Sequence, residues 1–262
     1  MIKRKTAREI DIMFSAGQIL AKTLKYLQEI ITQGMSTLDL DREAAEFIKK
    51  LGGRPAFKGY NGFPGNICVS INEQVIHGIP KRNVKIKDGD IVSLDIGVEY
   101  NGYYADAAVT VPVGRISPEL EELLRVGRQA LELGISKARA GNHLSDISNA
   151  IESYVLAHNM EVVRSFVGHG IGRRLHEEPQ VPNFGPPGEG PILKPGFALA
   201  IEPMVNLGTS EVVILNDGWT TVTKDGKPSC HFEHTVIVQD GEPLITTRLN
   251  GENLIYSNNQ VV

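Results

Sequence analysis

Four carboxylates stand in stretches of sequence that are otherwise apolar and typical of β-strands: Asp95, Asp106, Glu202 and Glu233. A carboxylate buried in such a stretch is costly unless it is paired, protonated or bound to a metal ion. Like charges held close together would not all ionise without counter-cations, which two divalent ions would supply. One such acid alone is more often an edge or turn residue, but four acids favour a dinuclear metal site.

A glycine-rich segment supplies a nitrogen ligand for the same site. His169 stands between Gly168 and Gly170, and glycines on both sides allow other backbone to approach closely. Four acids with one imidazole suit Mn, Fe, Co or Zn, and differ from the thiolate ligands of structural zinc. His176 is less secure as a ligand, because the adjacent Glu177 could simply be its surface partner.

The remaining histidines and the two cysteines have structural interpretations when the residues are considered alone. His77 ends an apolar run at a turn, which favours a structural role. The same interpretation is given to four others: His143, His158, His231 and His234. Cys68 and Cys230 are expected to be small buried apolar residues. Two cysteines without a secretion signal favour the reducing cytoplasm.

A hairpin signal explains how the first two acids can share metal ions. Asn101-Gly102 separates two β-prone runs, which is a strong indication of a two-residue hairpin. That register places Asp95 opposite Ala108, so Asp106 is the diagonal neighbour of Asp95 on the same face. Such neighbours are roughly 7–8 Å apart at the backbone, a gap that two carboxylates with metal between them can fill.

Sequence features repeat at an offset of 107 residues, which carries helix ends onto helix ends and an acid onto an acid: Gly34 onto Gly141, Gly52 onto Asn159, Gly89 onto Gly196 and Asp95 onto Glu202. Glu233 then corresponds to Asp106, although the segment that connects it to Glu202 is longer than the one between Asp95 and Asp106. The pattern predicts a duplicated helix–helix–hairpin unit with halves at about 1–115 and 116–262. Two halves facing each other would form one α+β domain, residues 1–262, with the acids at their seam.

Composition limits the classes of protein that need to be considered. A chain of 262 residues with 41% hydrophobic content can bury a sizeable core. A net charge of −4 gives no reason to expect nucleic acid or an anionic membrane as a partner. The apolar runs are far too short to span a bilayer, and no apolar signal-peptide core follows the basic N-terminus.

Together these residues resemble the type I methionine aminopeptidases. The resemblance rests on eight motifs: Gly59-Tyr60-Asn61-Gly62-Phe63-Pro64, Cys68-Val69-Ser70-Ile71-Asn72-Glu73, His77-Gly78-Ile79-Pro80, Gly89-Asp90-Ile91-Val92, Gly168-His169-Gly170-Ile171-Gly172, His176-Glu177-Glu178-Pro179, Ile201-Glu202-Pro203 and Phe232-Glu233-His234-Thr235. Glu202 and Glu233 are only 31 residues apart, whereas type II members carry a long helical insertion there. The chain is therefore similar to the short bacterial form.

The resemblance implies a fold and a role for each site residue. The fold would be the pita-bread fold, with two pseudo-symmetric halves around a central antiparallel sheet, in agreement with the repeat. Five residues would bind the two divalent ions: Asp95, Asp106, His169, Glu202 and Glu233. Of these, Asp106 and Glu233 would bridge the two ions. Glu202 would also be the general base, and His77 and His176 would contact substrate outside the metal shell. A pocket for methionine would be formed by four residues: Tyr60, Phe63, Cys68 and Trp219.

The implied reaction is removal of the initiator methionine from newly made proteins and peptides by a hydroxide that bridges the two metals, with a preference for small second residues. The expected partners are nascent polypeptide N-termini, with contact to the ribosome left open, and the expected state is a monomer. Trp219 follows a turn signal, which suits the pocket rim, although core packing is an equal alternative for it. Asn61, Phe63 and Leu175 depart from residues common in the family, which bears on substrate breadth.

Two other interpretations stay open. A proline-directed peptidase of the same fold would cleave next to proline, but those enzymes usually carry a separate N-terminal domain. A non-enzymatic binding protein on this fold would be expected to lose metal ligands, whereas this chain has all five. The residues 249–262 carry no motif that indicates a role.

Overall fold

The computed structural model of the 262-residue chain describes residues 2–249. Across these residues it has four α-helices: α1 Ala7–Ile30, α2 Thr37–Lys50, α3 Pro118–Lys137 and α4 Leu144–Ala157. The strands are β1 Arg54–Pro55, β2 Cys68–Ile71, β3 Gln74–Ile76, β4 Ile91–Tyr100, β5 Tyr103–Pro112, β6 Glu161–Val162, β7 Gly168–Gly170, β8 Glu177–Val181, β9 Ala198–Ile201, β10 Met204–Asn206, β11 Val212–Ile214, β12 Thr221–Thr223, β13 Ser229–His231, β14 His234–Ile237 and β15 Leu244–Ile245. A 3-10 turn spans Tyr60–Gly62. No helix in the described part is long and apolar enough to cross a membrane.

Side-chain hydrogen bonds cap the starts of three helices. Thr6 forms a capping box with Glu9 at the start of α1, and Ser36 forms one with Asp39 at the start of α2. These side chains bond the backbone N–H groups that a helix leaves unpaired at its first turn. Ser117 caps α3, which has proline at its first position.

The second pair of helices repeats the first. Helix α4 begins and ends 107 residues after α2, and the C-terminal end of α3 lies 107 residues after that of α1. Gly34 and Gly141, which follow α1 and α3, share a positive φ of 89° and 92°. The division at about 115 stays a prediction, and the predicted end of the second half at 262 lies outside the described residues.

Each pair of helices covers its own strands. The first core contains the apolar faces of α1 and α2 together with buried residues of β4 and β5, such as Leu94 and Ala107. The second core contains α3 and α4 with β9, β10 and β14, including Leu199 and Val236. Burial of these apolar faces is what holds each helix pair against its sheet. Within the described part, the strands pair antiparallel in four sheets.

The β4–β5 hairpin has the predicted register. Asp95 pairs with Ala108, and Asp106 lies diagonally across from Asp95. Asn101 and Gly102 both have positive φ, 50° and 79°, which is the backbone that the favoured two-residue hairpin turn requires. The prediction from the Asn-Gly pair is therefore confirmed.

The two halves join where β5 meets the segment between β13 and β14. The backbones of Ala108 and Glu233 exchange hydrogen bonds of 2.9 and 3.4 Å. Threonine hydroxyls bridge the same two segments on either side of the Ala108–Glu233 pair. The hydroxyl of Thr235 bonds the N–H and C=O of Asp106, and the hydroxyl of Thr110 bonds the N–H and C=O of His231. This seam places acids from both halves next to each other.

Candidate metal centre

The five predicted ligands line one cavity of about 430 Å³ at the seam between the halves. They come from different parts of the sheet structure: Asp95 from β4, Asp106 from β5, His169 from β7, Glu202 directly after β9 and Glu233 between β13 and β14. Both halves therefore contribute acids to the same space, as the sequence repeat predicts.

The ligand atoms are close enough to share a cation. One ligand atom each from Asp106, His169 and Glu233 lies within 4.8 Å of the other two. His169 Nε2 is 3.9 Å from Asp106 Oδ2 and 3.5 Å from Glu202 Oε1. These separations leave room for an ion coordinated by both nitrogen and oxygen.

The ring of His169 is held in the tautomer that a metal ligand needs. Its Nδ1 lies 2.9 Å from the carbonyl oxygen of Gly170, which can only accept a hydrogen bond, so Nδ1 carries the proton. The lone pair is then on Nε2, which faces Asp106 and Glu202. A carbonyl behind the far nitrogen is the usual way in which proteins orient a metal-binding histidine.

Two buried oxygens in the cavity make no hydrogen bond within the described residues: Oδ1 of Asp106 and Oε1 of Glu233. Leaving a buried carboxylate oxygen without a partner costs free energy that folding must offset. A divalent cation would satisfy both oxygens and neutralise their charge. The residues present therefore fit a metal ion by burial, donor type and spacing.

Burial dominates the titration of the acids. It raises the pKa of Asp95 to about 7. It also holds the pKa of Asp106, Glu202 and Glu233 well above the usual carboxyl range, with repulsion from the neighbouring acids adding to the effect. Four buried acids that resist ionisation require a counter-cation if they are to be carboxylates near neutral pH.

The glycines around His169 are required by close backbone contacts. A Cβ at Gly168 would collide with the carbonyl oxygen of Ala200, and one at Gly170 would collide with that of Glu178. These contacts occur because β7 is flanked by β9 and β8. The sequence-based expectation of close backbone approach is confirmed.

Two further histidines border the ligand cluster. His176 is exposed, and its Nδ1 lies 2.7 Å from the hydroxyl of Tyr60. Its ring centroid is 4.0 Å from that of His169. His77 has a positive φ of 58°, a strained backbone for a residue with a side chain, and burial lowers its pKa to about 4. Both rings line the cavity.

The predicted pocket residues lie in the same cavity. Tyr60, Phe63, Cys68 and Trp219 all line it. Trp219 is half-buried after the turn at Gly218, and its ring packs edge-on against Phe63 at 5.1 Å and against His77 at 6.1 Å. This places Trp219 at the cavity wall. The departures Asn61 and Leu175 also line the cavity.

Sequence reasoning missed two residues at the site. Phe57 lines the cavity. His231 was interpreted as structural, yet its Nε2 lies 3.8 Å from Oε2 of Glu202. The signal for His231 was its position two residues before Glu233, since alternate residues of a strand share a face. Phe57 precedes the glycine-rich turn at 59–62 and carries no comparable signal.

Within the described part of the chain, the other three histidines are not among the residues that line the cavity. His143 precedes α4, His158 Nδ1 is 2.8 Å from the carbonyl oxygen of Tyr154, and His234 Nδ1 is 2.8 Å from the hydroxyl of Thr247. Cys230 is a free thiol buried in the second core, as expected.

Comparisons with known proteins agree with this geometry. The model of metallopeptidase family M24 matches residues 11–240. The chain is 54% identical to a methionine aminopeptidase from Clostridium perfringens, over 94% of this chain and 99% of that protein. It is 53% identical to methionine aminopeptidase 1 from Bacillus subtilis, over 95% of this chain and 100% of that protein.

Solved structures show the same fold. The methionine aminopeptidase of Thermotoga maritima superposes with a TM-score of 0.94 at 45% identity, covering 95% of this chain and all of that one. A prolidase from Pyrococcus furiosus superposes with a TM-score of 0.76 at 21% identity, over 94% of this chain and 66% of that one, and so shares the fold alone. The predicted pita-bread fold is confirmed. On the family match and these identities, the chain belongs to metallopeptidase family M24.

Proposed function

We propose that this protein removes methionine from the N-termini of newly made polypeptides by metal-assisted hydrolysis. The observation that carries the proposal is a single cavity in which a buried cluster of four acids and a histidine adjoins an apolar, aromatic wall. The cluster of acids and histidine suits hydrolysis of an amide, and the apolar, aromatic wall suits an unbranched apolar side chain. Relatives at 54% and 53% identity that are named methionine aminopeptidases support this assignment.

Membership of a metallopeptidase family implies the use of a divalent metal ion. We propose two ions, because four acids in one cavity carry more negative charge than one divalent ion neutralises; these would be held by Asp95, Asp106, His169, Glu202 and Glu233. Bound divalent ions lower the pKa of a water molecule and polarise a carbonyl oxygen. Co, Mn, Fe and Zn all suit the ligands, since availability decides among similar ions.

Glu202 is proposed as the general base. Its side chain is 13% exposed and lines the cavity, and its Oε1 lies 3.5 Å from Nε2 of His169. A carboxylate there can take a proton from the attacking water and deliver it to the leaving amine. The imidazoles of His176 and His77 reach the cavity from the substrate side, where they would orient the amide and stabilise the negative oxygen that develops.

The aromatic wall supports methionine as the cleaved residue. Thioether sulfur makes favourable contacts with aromatic rings, and Tyr60, Phe63 and Trp219 present rings to the cavity. Cys68 adds a small, buried and polarisable surface beside Asp95, its partner in the β2–β4 pair. Small second residues are proposed as preferred, and Asn61 and Leu175 in the lining would affect how strictly that preference holds.

The setting of the reaction is also part of the proposal. The acids of the cluster would attract a free α-amine, which would limit cleavage to N-termini. Nascent chains in the cytoplasm are the proposed substrates, with contact to the ribosome left open, and a monomer is the proposed state. All five proposed metal ligands come from one chain, which supports that state.

A parallel peptide assay tests the proposal. Metal-loaded protein is given Met-Ala-Ser, its N-acetylated form and an Xaa-Pro peptide, and the released amino acid is measured. We expect methionine from the free peptide only. Cleavage of the Xaa-Pro peptide alone would instead assign a proline-directed peptidase. Tight binding of Met-Ala-Ser without hydrolysis would assign a non-enzymatic binding protein.

A further inference from the structure

His231 is a buried polar group that the proposed reaction has not used. Its side chain is 2% exposed, and neither ring nitrogen has a hydrogen-bond partner within the described residues. A neutral imidazole has one N–H donor and one acceptor, and burying both without partners is unfavourable. The fold therefore retains a residue that reduces its stability.

Two other histidines of the second half show what a structural role looks like. His158 and His234 each bond a protein oxygen through Nδ1, at 2.8 Å. His231 instead has a carboxylate of the candidate metal centre as its charged neighbour, with Nε2 at 3.8 Å from Oε2 of Glu202. The difference points to a role that involves Glu202.

Glu202 lies between two imidazoles that face different oxygens. Its Oε1 is 3.5 Å from Nε2 of His169, on the side of the metal ligands, and its Oε2 faces His231. An N–H···O hydrogen bond needs a separation of about 2.7–3.2 Å. A shift of the carboxylate by less than about 1 Å would bring Oε2 into that range.

We propose that His231 is a positioning residue whose Nε2–H holds Oε2 of Glu202, so that Oε1 stays directed at the metal ligands. The proposal rests on the proposed function, because it assigns His231 to the control of the residue named there as ligand and base. A hydrogen bond to Oε2 would restrict rotation of the carboxylate and so keep Oε1 facing His169. The proton on Nε2 leaves Nδ1 as the acceptor, away from Glu202.

Three variants separate this role from a packing role. His231→Leu keeps an apolar volume but removes the N–H donor, and His231→Gln returns an amide N–H at similar reach. His158→Gln is the control, because it replaces a hydrogen-bonded histidine remote from the cavity. For each, kcat and KM on Met-Ala-Ser, Mn²⁺ affinity by calorimetry and the Tm of the metal-free protein are measured.

We expect His231→Leu to lower kcat by about 10–100-fold and to weaken Mn²⁺ binding, with little change in KM, since loss of a residue that orients a ligand typically costs this much. The Tm of the metal-free protein should stay the same or rise by about 2–4 °C, because an unpartnered buried group is removed. His231→Gln should recover most of kcat.

Native kcat and native Mn²⁺ affinity in His231→Leu would overturn the proposal. So would equal losses in the Leu and Gln variants together with a lowered Tm, since that pattern indicates packing. If native protein fails to cleave Met-Ala-Ser, the proposed function fails. The Mn²⁺ affinities of the same variants still decide whether His231 controls Glu202.

Discussion

At the scale of single residues, the site is built from groups that the protein alone does not satisfy. Asp106 and Glu233 each bury an oxygen without a partner in the described part of the chain, and the pKa of both acids is raised by burial. Such groups persist in folded proteins when a ligand or ion completes them. The sequence showed which acids these were, because carboxylates in apolar strands are conspicuous.

Asp106→Ala tests the proposed role of Asp106 as a metal ligand. We expect bound metal to fall and hydrolysis of Met-Ala-Ser to drop by more than the roughly 10–100-fold typical of a residue that only orients a ligand. Metal content by elemental analysis and turnover are measured together. Glu99→Gln is the control, since Glu99 lies on the same hairpin but pairs with Arg54 outside the cavity. Full metal content in Asp106→Ala would rule out the ligand assignment.

The acids also predict a pH dependence. Burial raises the pKa of Asp95 to about 7 in the metal-free fold, against roughly 4 for an exposed aspartate. The pKa of Asp95 is higher in the folded than in the unfolded state. Its contribution to folding stability is therefore complete below about pH 4 and is lost as pH rises through 7. Histidines with lowered pKa, such as His169, act in the opposite sense, and their contribution to stability is nearly complete by about pH 6.5, the pKa of an exposed imidazole.

Because the pKa of Asp106, Glu202 and Glu233 is raised as well, we expect the Tm of metal-free protein to fall as pH rises above about 6.5, while Mn²⁺ binding strengthens and releases protons over the same range. Calorimetry in buffers of different ionisation enthalpy counts those protons. A metal-free Tm that rises over this range, or binding without proton release, would contradict the pKa directions.

At the scale of elements, local signals predicted the hairpin and distant contacts escaped prediction. The Asn101-Gly102 turn defines its own register, because its backbone fits few alternatives. Lys5 and Glu177 form an ion pair of 2.7 Å, with side chains only 6% and 10% exposed. No local pattern links residues so far apart in the chain, so this contact could not be predicted.

That ion pair ties the N-terminal segment to the turn that carries His176. Glu177 also accepts a bond from the backbone of Arg174, and the backbone N–H of Lys5 bonds the carbonyl of Gly196. Removing one partner of a buried pair leaves an uncompensated charge. Lys5 is therefore expected to hold the turn in place.

Lys5→Met should lower kcat/KM several-fold through displacement of His176, while Lys3→Met, at an exposed position, should not. Adding Glu177→Gln to Lys5→Met should recover part of the loss, because the unpaired charge is then gone. Steady-state kinetics on Met-Ala-Ser provide the measurement. Equal kinetics for Lys5→Met and Lys3→Met would show that the pair does not position His176.

At the scale of the whole molecule, the seam between the halves determines whether the ligands meet. Thr235 bonds both the N–H and the C=O of Asp106. Its hydroxyl thus joins a strand of the first half to one of the second, directly at a proposed ligand. The sequence repeat indicated that the halves face each other, but not that threonine hydroxyls join them, since side-chain bridges depend on the final separation of the strands.

Thr235→Val keeps the shape of the side chain and removes both bonds. We expect the free energy of unfolding to fall by about 1–3 kcal/mol, since the backbone groups of Asp106 are left unpaired. Metal affinity should fall with it, because Asp106 is no longer held. Thr32→Val, at an exposed position after α1, should leave both quantities unchanged. A Thr235→Val protein with native stability would show that the seam is held by other contacts.

In the whole molecule, we expect bound metal and hydrolysis to be inseparable. The direct measurement is elemental analysis of protein purified without added metal, with Met-Ala-Ser hydrolysis assayed in the same samples as the bound metal is removed by a chelator and Mn²⁺ is then added. Activity is predicted to follow the bound divalent ion, disappearing in the metal-free protein and returning on reloading. Undiminished hydrolysis by protein that holds no measurable metal would contradict the central claim.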